Sequence, residues 1–152
     1  MNVRLFVFLL MAGIALLQNS DAQQTLSPGK ESLRLFNKYV PVIEQKNDAI
    51  VDDPQVITGD INGDGKPDCI VFFVLTPKEG GNAITGEGAA VYINTGAGMK
   101  VAGAFPDVKF CYHIDRISNE IIYVKEYECA PPYSTTIRER KFIYKNKRFS
   151  EI

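Results

Sequence analysis

"CIVFFVL" (Cys69–Leu75) is an unbroken apolar run, rich in Val, Ile and Phe. A strand with one wet face would alternate apolar and polar residues. A short continuous run between turn formers reads instead as a strand buried on both faces. Such a strand belongs at the centre of a sheet, and its neighbours must supply cover on two sides.

Working outward, the flanking sequence reads as strand and turn. "QVITGDI" (Gln55–Ile61) is a short strand upstream. Downstream, "TPKEGGNAITGEG" (Thr76–Gly88) is a glycine-rich loop. "AAVYIN" and "MKVAGAF" form a hairpin around "TGAG" (Thr95–Gly98). "VKFCYHIDRI" and "EIIYVKEYE" form a second, and "TTIRERKFIYK" with "KRFSEI" closes the chain around Lys145-Asn146. Strands in series with short connections imply an antiparallel meander. Before them, "SPGKESLRLFNKYVPVIEQ" (Ser27–Gln45) reads as one amphipathic helix. Ser27 is its cap, Pro28 suits the first helical position, and Leu33, Phe36, Tyr39 and Val40 share a face. Pro41 ends or kinks it. The expected class is mainly β (α+β): an antiparallel meander sheet with one N-terminal helix, which covers only part of the sheet.

Directly before the apolar run stands "GDINGDGKPD" (Gly59–Asp68). Asp60, Asn62 and Asp64 alternate, so their side-chain oxygens can converge in a tight loop. Gly65 permits the positive φ that wraps the chain back. The backbone carbonyl of Lys66 is the next donor, and Asp68 closes the shell. Hard oxygen donors in a flexible loop suit Ca²⁺, whereas Zn²⁺ prefers nitrogen and sulfur. An EF-hand is excluded: its twelfth loop position carries a bidentate Glu, and here that position is Val71, inside a strand. A metal-free acidic turn is the competing reading, since Asn-Gly and Asp-Gly form turns unaided. A catalytic carboxylate pair needs two environments that separate the pKa values, and the loop offers no apolar pocket.

The loop feeding a strand, "GDINGDGKPDCIVFF" (Gly59–Phe73), resembles the calcium loop of FG-GAP and VCBS-type repeats. A weaker likeness continues through "GGN" and "AAVYINTG" to Gly96, a pattern seen in small exported bacterial proteins of unassigned role. The resemblance implies Ca²⁺ held by Asp60, Asn62, Asp64, Lys66 and Asp68. It does not imply a propeller: the motif occurs once, the Phe-Gly and Gly-Ala-Pro signatures are missing, and the chain is too short for several blades.

The three cysteines are Cys69, Cys111 and Cys129. Cys69 opens the apolar run and reads as a small buried hydrophobe. Cys111 and Cys129 are the candidates for a bridge. A two-residue turn at Ser118-Asn119 would set Cys111 opposite Glu126, leaving Cys129 about 10 Å out of register, too far for a disulfide. Only a longer loop or a bulge repairs the match. His113 is the one histidine, on a face with Cys111 and Asp115. Cys111 and His113, with Cys129, offer a zinc set lacking a fourth ligand, so a satisfied strand histidine is the better reading. Glu87, in the glycine-rich loop, is a candidate to reach the metal. Pro131-Pro132 preset an extended segment in which Tyr133 packs or meets a partner. "IRERKFIYKNKR" alternates charged and apolar residues, as a solvated strand face does.

The opening "MNVRLFVFLLMAGIALLQNSDAQQ" has the charge, apolar length and small residues (Ser20, Ala22) of a secretory signal, with a cut after Ala22. An N-terminal membrane anchor is the alternative, but about 20 apolar residues are missing. Residues 1–22 are then a signal peptide and 23–152 a single β-rich domain, periplasmic or secreted, with no membrane span after processing. The net charge is −1. Arg4 and Asp21 leave together, so it persists and favours neither nucleic acid nor an anionic membrane.

Three functional expectations follow. The first is a non-catalytic, exported calcium-binding domain that binds a protein or glycan of the cell envelope. The second is a periplasmic inhibitor or immunity protein that blocks a toxin or hydrolase. The third, a metal-assisted hydrolase, is the least equipped, with one histidine and no convergent acid/base pair.

Overall fold

The computed structural model describes residues 26–81, 83–106, 111–129 and 136–152. The signal peptide and its cut, Asn82, and the Pro131-Pro132-Tyr133 segment lie outside the described residues. Within them, two helices precede eight strands, arranged as two four-stranded antiparallel sheets, each a meander.

The first sheet holds β1 (Ala49–Gly59), β2 (Asp68–Pro77), β3 (Gly86–Asn94) and β4 (Met99–Ala104), in that order. The apolar run is β2, an inner strand with β1 and β3 on its two sides, and it is buried on both faces as expected. Strand alternation sends its odd residues one way and its even residues the other. Cys69, Val71, Phe73 and Leu75 pack with Phe36 of the helices, Tyr92 and Met99. Ile70 and Phe72 pack with Ala89, Val91 and the second sheet.

That second sheet holds β5 (Cys111–Ser118), β6 (Ile121–Tyr127), β7 (Thr136–Lys145) and β8 (Arg148–Glu151). Its inner face contributes Tyr112, Ile114, Ile122, Val124 and Phe142 to the core shared with the first sheet. Phe105, just past β4, sits where the sheets meet. Its ring lies 5.0 Å from that of Phe142 and 5.3 Å from that of Phe149. The single expected sheet is thus two sheets face to face, with helices on the outer face of the first. The expected shortage of cover is met by the chain's own second half.

The expected single helix is two: α1 (Pro28–Asn37) and α2 (Val40–Asn47). Proline at position 41 supplies no N–H to the carbonyl of Asn37 and its ring crowds that carbonyl, so α1 ends there. Shorter bonds close the turn, from Lys38 N–H to the Leu35 carbonyl (3.2 Å) and from Tyr39 N–H to the Phe36 carbonyl (2.7 Å). Pro41 then sits harmlessly in the first turn of α2. Ser27 does precede α1, but its hydroxyl makes no capping bond. Phe36 is fully buried and Leu33 and Val40 pack beside it, whereas Tyr39, at the break, is exposed.

Strand β1 begins six residues before the expected Gln55. Asp52, Asp53 and Pro54 hide its first half, because acidic residues and proline read as breakers. They are tolerated because β1 is an edge strand and Asp53-Pro54 form a bulge, with the register slipping between Asp52/Val74 and Gln55/Phe72. The β5–β6 turn is Asn119-Glu120 and the β7–β8 turn is Asn146-Lys147, one residue later than expected. All four residues have positive φ, the two-residue hairpin geometry that matches strand twist.

Cys111 and Cys129 form a disulfide with a Cα–Cα separation of 5.2 Å. The later turn alone would set Cys111 opposite Glu128; a bulge between Ile114 and Arg116 takes one residue back and leaves it opposite Tyr127, not Glu126. Cys129 lies just past the strand end, where the chain is free to curl back. Cys69 is the free, buried cysteine.

Candidate metal centre

The acidic motif is the connection between β1 and β2, with Gly59 and Asp68 paired across its mouth. It is pinned from within by Ile61, whose side chain is fully buried in the core between the sheets. Gly63 and Gly65 take positive φ, 79° and 77°, the wrapping that their lack of Cβ allows.

Every side-chain oxygen of the motif is oriented by an N–H. Asp60 Oδ1 accepts from Gly63 (2.7 Å) and Asp64 (3.2 Å), and Asp60 Oδ2 from Gly65 (2.8 Å). Asn62 Oδ1 accepts from Asp64 N–H (3.0 Å). Asp64 Oδ1 accepts from Lys66 N–H (2.9 Å), while the Lys66 ammonium donates to Asp64 Oδ2 (3.0 Å). The Lys66 backbone N–H, then its ammonium, hold the Asp64 carboxyl below the usual aspartate range.

Asp68 behaves differently. It is fully buried. Its Oδ2 accepts from Ile61 N–H (2.9 Å) and its Oδ1 from Asn94 N–H (2.8 Å), at the end of β3. Burial pushes its carboxyl up, against the pull of these two donors. Asp68 ties the acidic loop to the β3–β4 turn, which Asn94 Nδ2 reinforces by donating to the Pro67 carbonyl (3.3 Å).

The structure therefore brings Asp60, Asn62, Asp64 and Lys66 together on an exposed loop and turns Asp68 inward. Among the described residues no group of three or more His, Cys, Asp or Glu side chains is placed to hold a metal ion. The donor chemistry nonetheless suits a hard cation. The oxygens that accept a single N–H each keep a lone pair, and the Lys66 ammonium already occupies the place of a positive charge at Asp64.

One neighbour was not legible in the sequence. Glu120, in the β5–β6 turn of the second sheet, lies over Gly63, with its carboxylate about 3 Å from where a Cβ would stand (2.9 and 3.0 Å to the two oxygens). Sequence gave no register between the two sheets, so nothing linked positions 63 and 120. Glu87, a candidate to reach the metal, does not. It pairs with Val74 across β2–β3, six residues along β2 from Asp68 or about 20 Å, and instead accepts a bond from Tyr112 N–H (2.6 Å). His113 stacks on Tyr127 at 5.0 Å, with its Nε2 3.2 Å from the tyrosine hydroxyl. Burial lowers its pKa. With Cys111 and Cys129 joined, the zinc set loses its thiolates, and His113 is the satisfied strand histidine.

A second polar cluster also escaped the sequence reading. Glu126 is fully buried on the inner face of the second sheet and meets Arg138 Nε (2.5 Å) and Arg140 Nη1 (2.9 Å). Arg140 also reaches Glu151 Oε1 (2.7 Å). Part of the expected solvated strand face of β7 is therefore an ion-paired network. Its signal was there: Glu126 keeps the two-residue phase of Ile122 and Val124.

Together these features define an antiparallel β-sandwich, flanked by helices on one face, with an acidic loop at one end framed by the β3–β4 and β5–β6 turns. Comparison with protein-family models, curated proteins and solved structures finds no match.

Proposed function

We propose that this chain is an exported, non-catalytic calcium-binding domain that serves as a binding module of the cell envelope, recognising a protein or glycan there. The supporting observation is the loop itself: Asp60, Asn62 and Asp64 are held by a ring of backbone N–H groups on a framework anchored by Ile61. Asp60, Asn62, Asp64, the carbonyl of Lys66 and Asp68 would hold the ion, which would supply charge neutralisation and rigidity. Its work is structural, stiffening the junction between β1 and β2 from which a partner is met.

Calcium at this loop must displace the Lys66 ammonium from Asp64. Thermal unfolding therefore separates the contributions. Calcium is expected to raise the melting temperature and EDTA to reverse it, with the shift lost in Asp64→Ala. Lys66→Gln keeps the carbonyl, removes the competing ammonium and is expected to tighten calcium binding. A melting temperature indifferent to both calcium and EDTA overturns the reading.

A further inference from the structure

A cavity of about 520 Å³ lies between the helices and the β3–β4 edge of the first sheet. It lies further along β2 than the acidic loop and is independent of it. Strand β4 pairs with β3 only from Ala90 onward, so the first residues of β3 lack that neighbour, and the cavity wraps around them. Even residues of β3, Gly88 and Ala90, face the helix side. Glu87 and Ala89 face the space between the sheets, and all four line the cavity. At Gly88 the Phe73 ring takes the place of the missing side chain, its Cζ 2.6 Å from where a Cβ would stand, while Ala89 and Ala90 add only a methyl each to the wall.

Six aromatic rings form much of the wall: Phe36, Tyr39, Phe73, Tyr92, Phe105 and Tyr112. Tyr39, Val42 and Val101 also line it and are strongly exposed for their type, at 51%, 60% and 48%. The cavity thus opens through an apolar mouth. Its size falls in the range of small-molecule sites, where an apolar lining is combined with a few placed polar groups.

The placed polar group is Glu87. It is half-buried, and its Oε2 is fixed by the Tyr112 N–H at 2.6 Å. Among the described residues it belongs to no ion pair, in contrast to Glu126. Burial raises its pKa, against the pull of the Tyr112 N–H. The other charged residue of the lining, Lys46, is exposed. A carboxylate among aromatic faces attracts a cation twice, by its own charge and by the ring quadrupoles.

We propose that this cavity binds an organic ammonium ion carried on an apolar body, the ammonium paired with Glu87 and the body held among the aromatic rings. Calorimetric titration with 2-phenylethylamine, 2-phenylethanol and phenylacetate varies the head group on one body. The amine is expected to bind roughly tenfold or more tighter than the alcohol, and phenylacetate more weakly than either. Glu87→Gln keeps an oxygen for the Tyr112 N–H and removes the charge, so the amine loses most of its advantage over the alcohol, the rings keeping the remainder, while alcohol binding stays. Methyl NMR shifts of Val42, Ala90 and Val101 on amine addition place the ligand in the cavity. Failure of the amine to bind, tighter binding of phenylacetate, an amine preference undiminished by Glu87→Gln, or shifts elsewhere overturns the proposal. EDTA leaves amine binding unchanged, which separates it from the calcium reading.

Discussion

At Asp68, the proposed ligation of calcium and the support of the fold would draw on the same two oxygens. Each already accepts one backbone N–H, from Ile61 and from Asn94, in a fully buried place. Asparagine offers a single acceptor oxygen in the same shape, so in Asp68→Asn one N–H faces an amide that can only donate. A buried donor left unmade costs about 1–3 kcal/mol, and urea unfolding without calcium is expected to show a loss of that size. Stability unchanged in the variant would show that Asp68 does not tie the two turns together. The spacing that makes Asp68 the candidate last ligand was visible in "GDINGDGKPD". Its bond to Asn94, 26 residues away, was not, because it exists only once the β3–β4 turn is folded beside the loop.

Among the elements, β2 was legible because both its faces are apolar, so no question of phase arose. Strand β1 was half legible. Its second half keeps apolar residues, while Asp52-Asp53-Pro54 make sense only at a bulge on a sheet edge. The β5–β6 hairpin shows how little error suffices to mislead. A turn displaced by one residue moves the register two places toward Cys129, the bulge near Asp115 takes one back, and Cys129, just past the strand end, closes the rest. Cys111 and Cys129 close a loop with a sequence separation of 18, for which chain entropy assigns about 3 kcal/mol of stabilisation. A Cys111→Ser/Cys129→Ser double variant is expected to lose that much in urea unfolding, and reduced wild-type protein should match it. Equal stability of oxidised and reduced protein would show that the hairpin gains nothing from the link. Gly59 tests a different junction, between β1 and the second sheet. A Cβ there would stand 2.5 Å from Ile117 Cβ, so Gly59→Ala forces the sheets apart and is expected to cost about 1–3 kcal/mol.

For the whole molecule, the pairing of the two sheets was the part that local patterns could not supply. Alternation tells which side chains share a face, not which face meets which. Glu126 is the sharpest case, since its phase places it inside, yet only the neighbouring strand brings Arg138 and Arg140 to it. Burial works to raise the Glu126 carboxyl, and the two guanidiniums outweigh it, leaving it below its ordinary value of 4.5. The unfolded chain therefore takes up this proton at higher pH than the folded one. The stability from the pair is complete above pH 4.5 and lost as pH falls through the lower folded value. Glu87 and Asp68 act in the opposite sense, because burial raises them and the folded state keeps their protons longer. Asp64, Asp115 and Glu151 side with Glu126, so acid is expected to destabilise the protein overall. Glu126→Gln leaves the guanidiniums without their buried countercharge. Its cost at about pH 7 is expected to be roughly 3 kcal/mol, the lower end for a broken buried pair because Arg138 is half exposed. That cost should shrink as the pH falls below 4.5 and through the lowered value of the wild-type carboxyl, where it too takes up its proton. Urea midpoints of both proteins across this range measure it, and a difference that does not change with pH would show that charge pairing at Glu126 does not hold the second sheet's inner face.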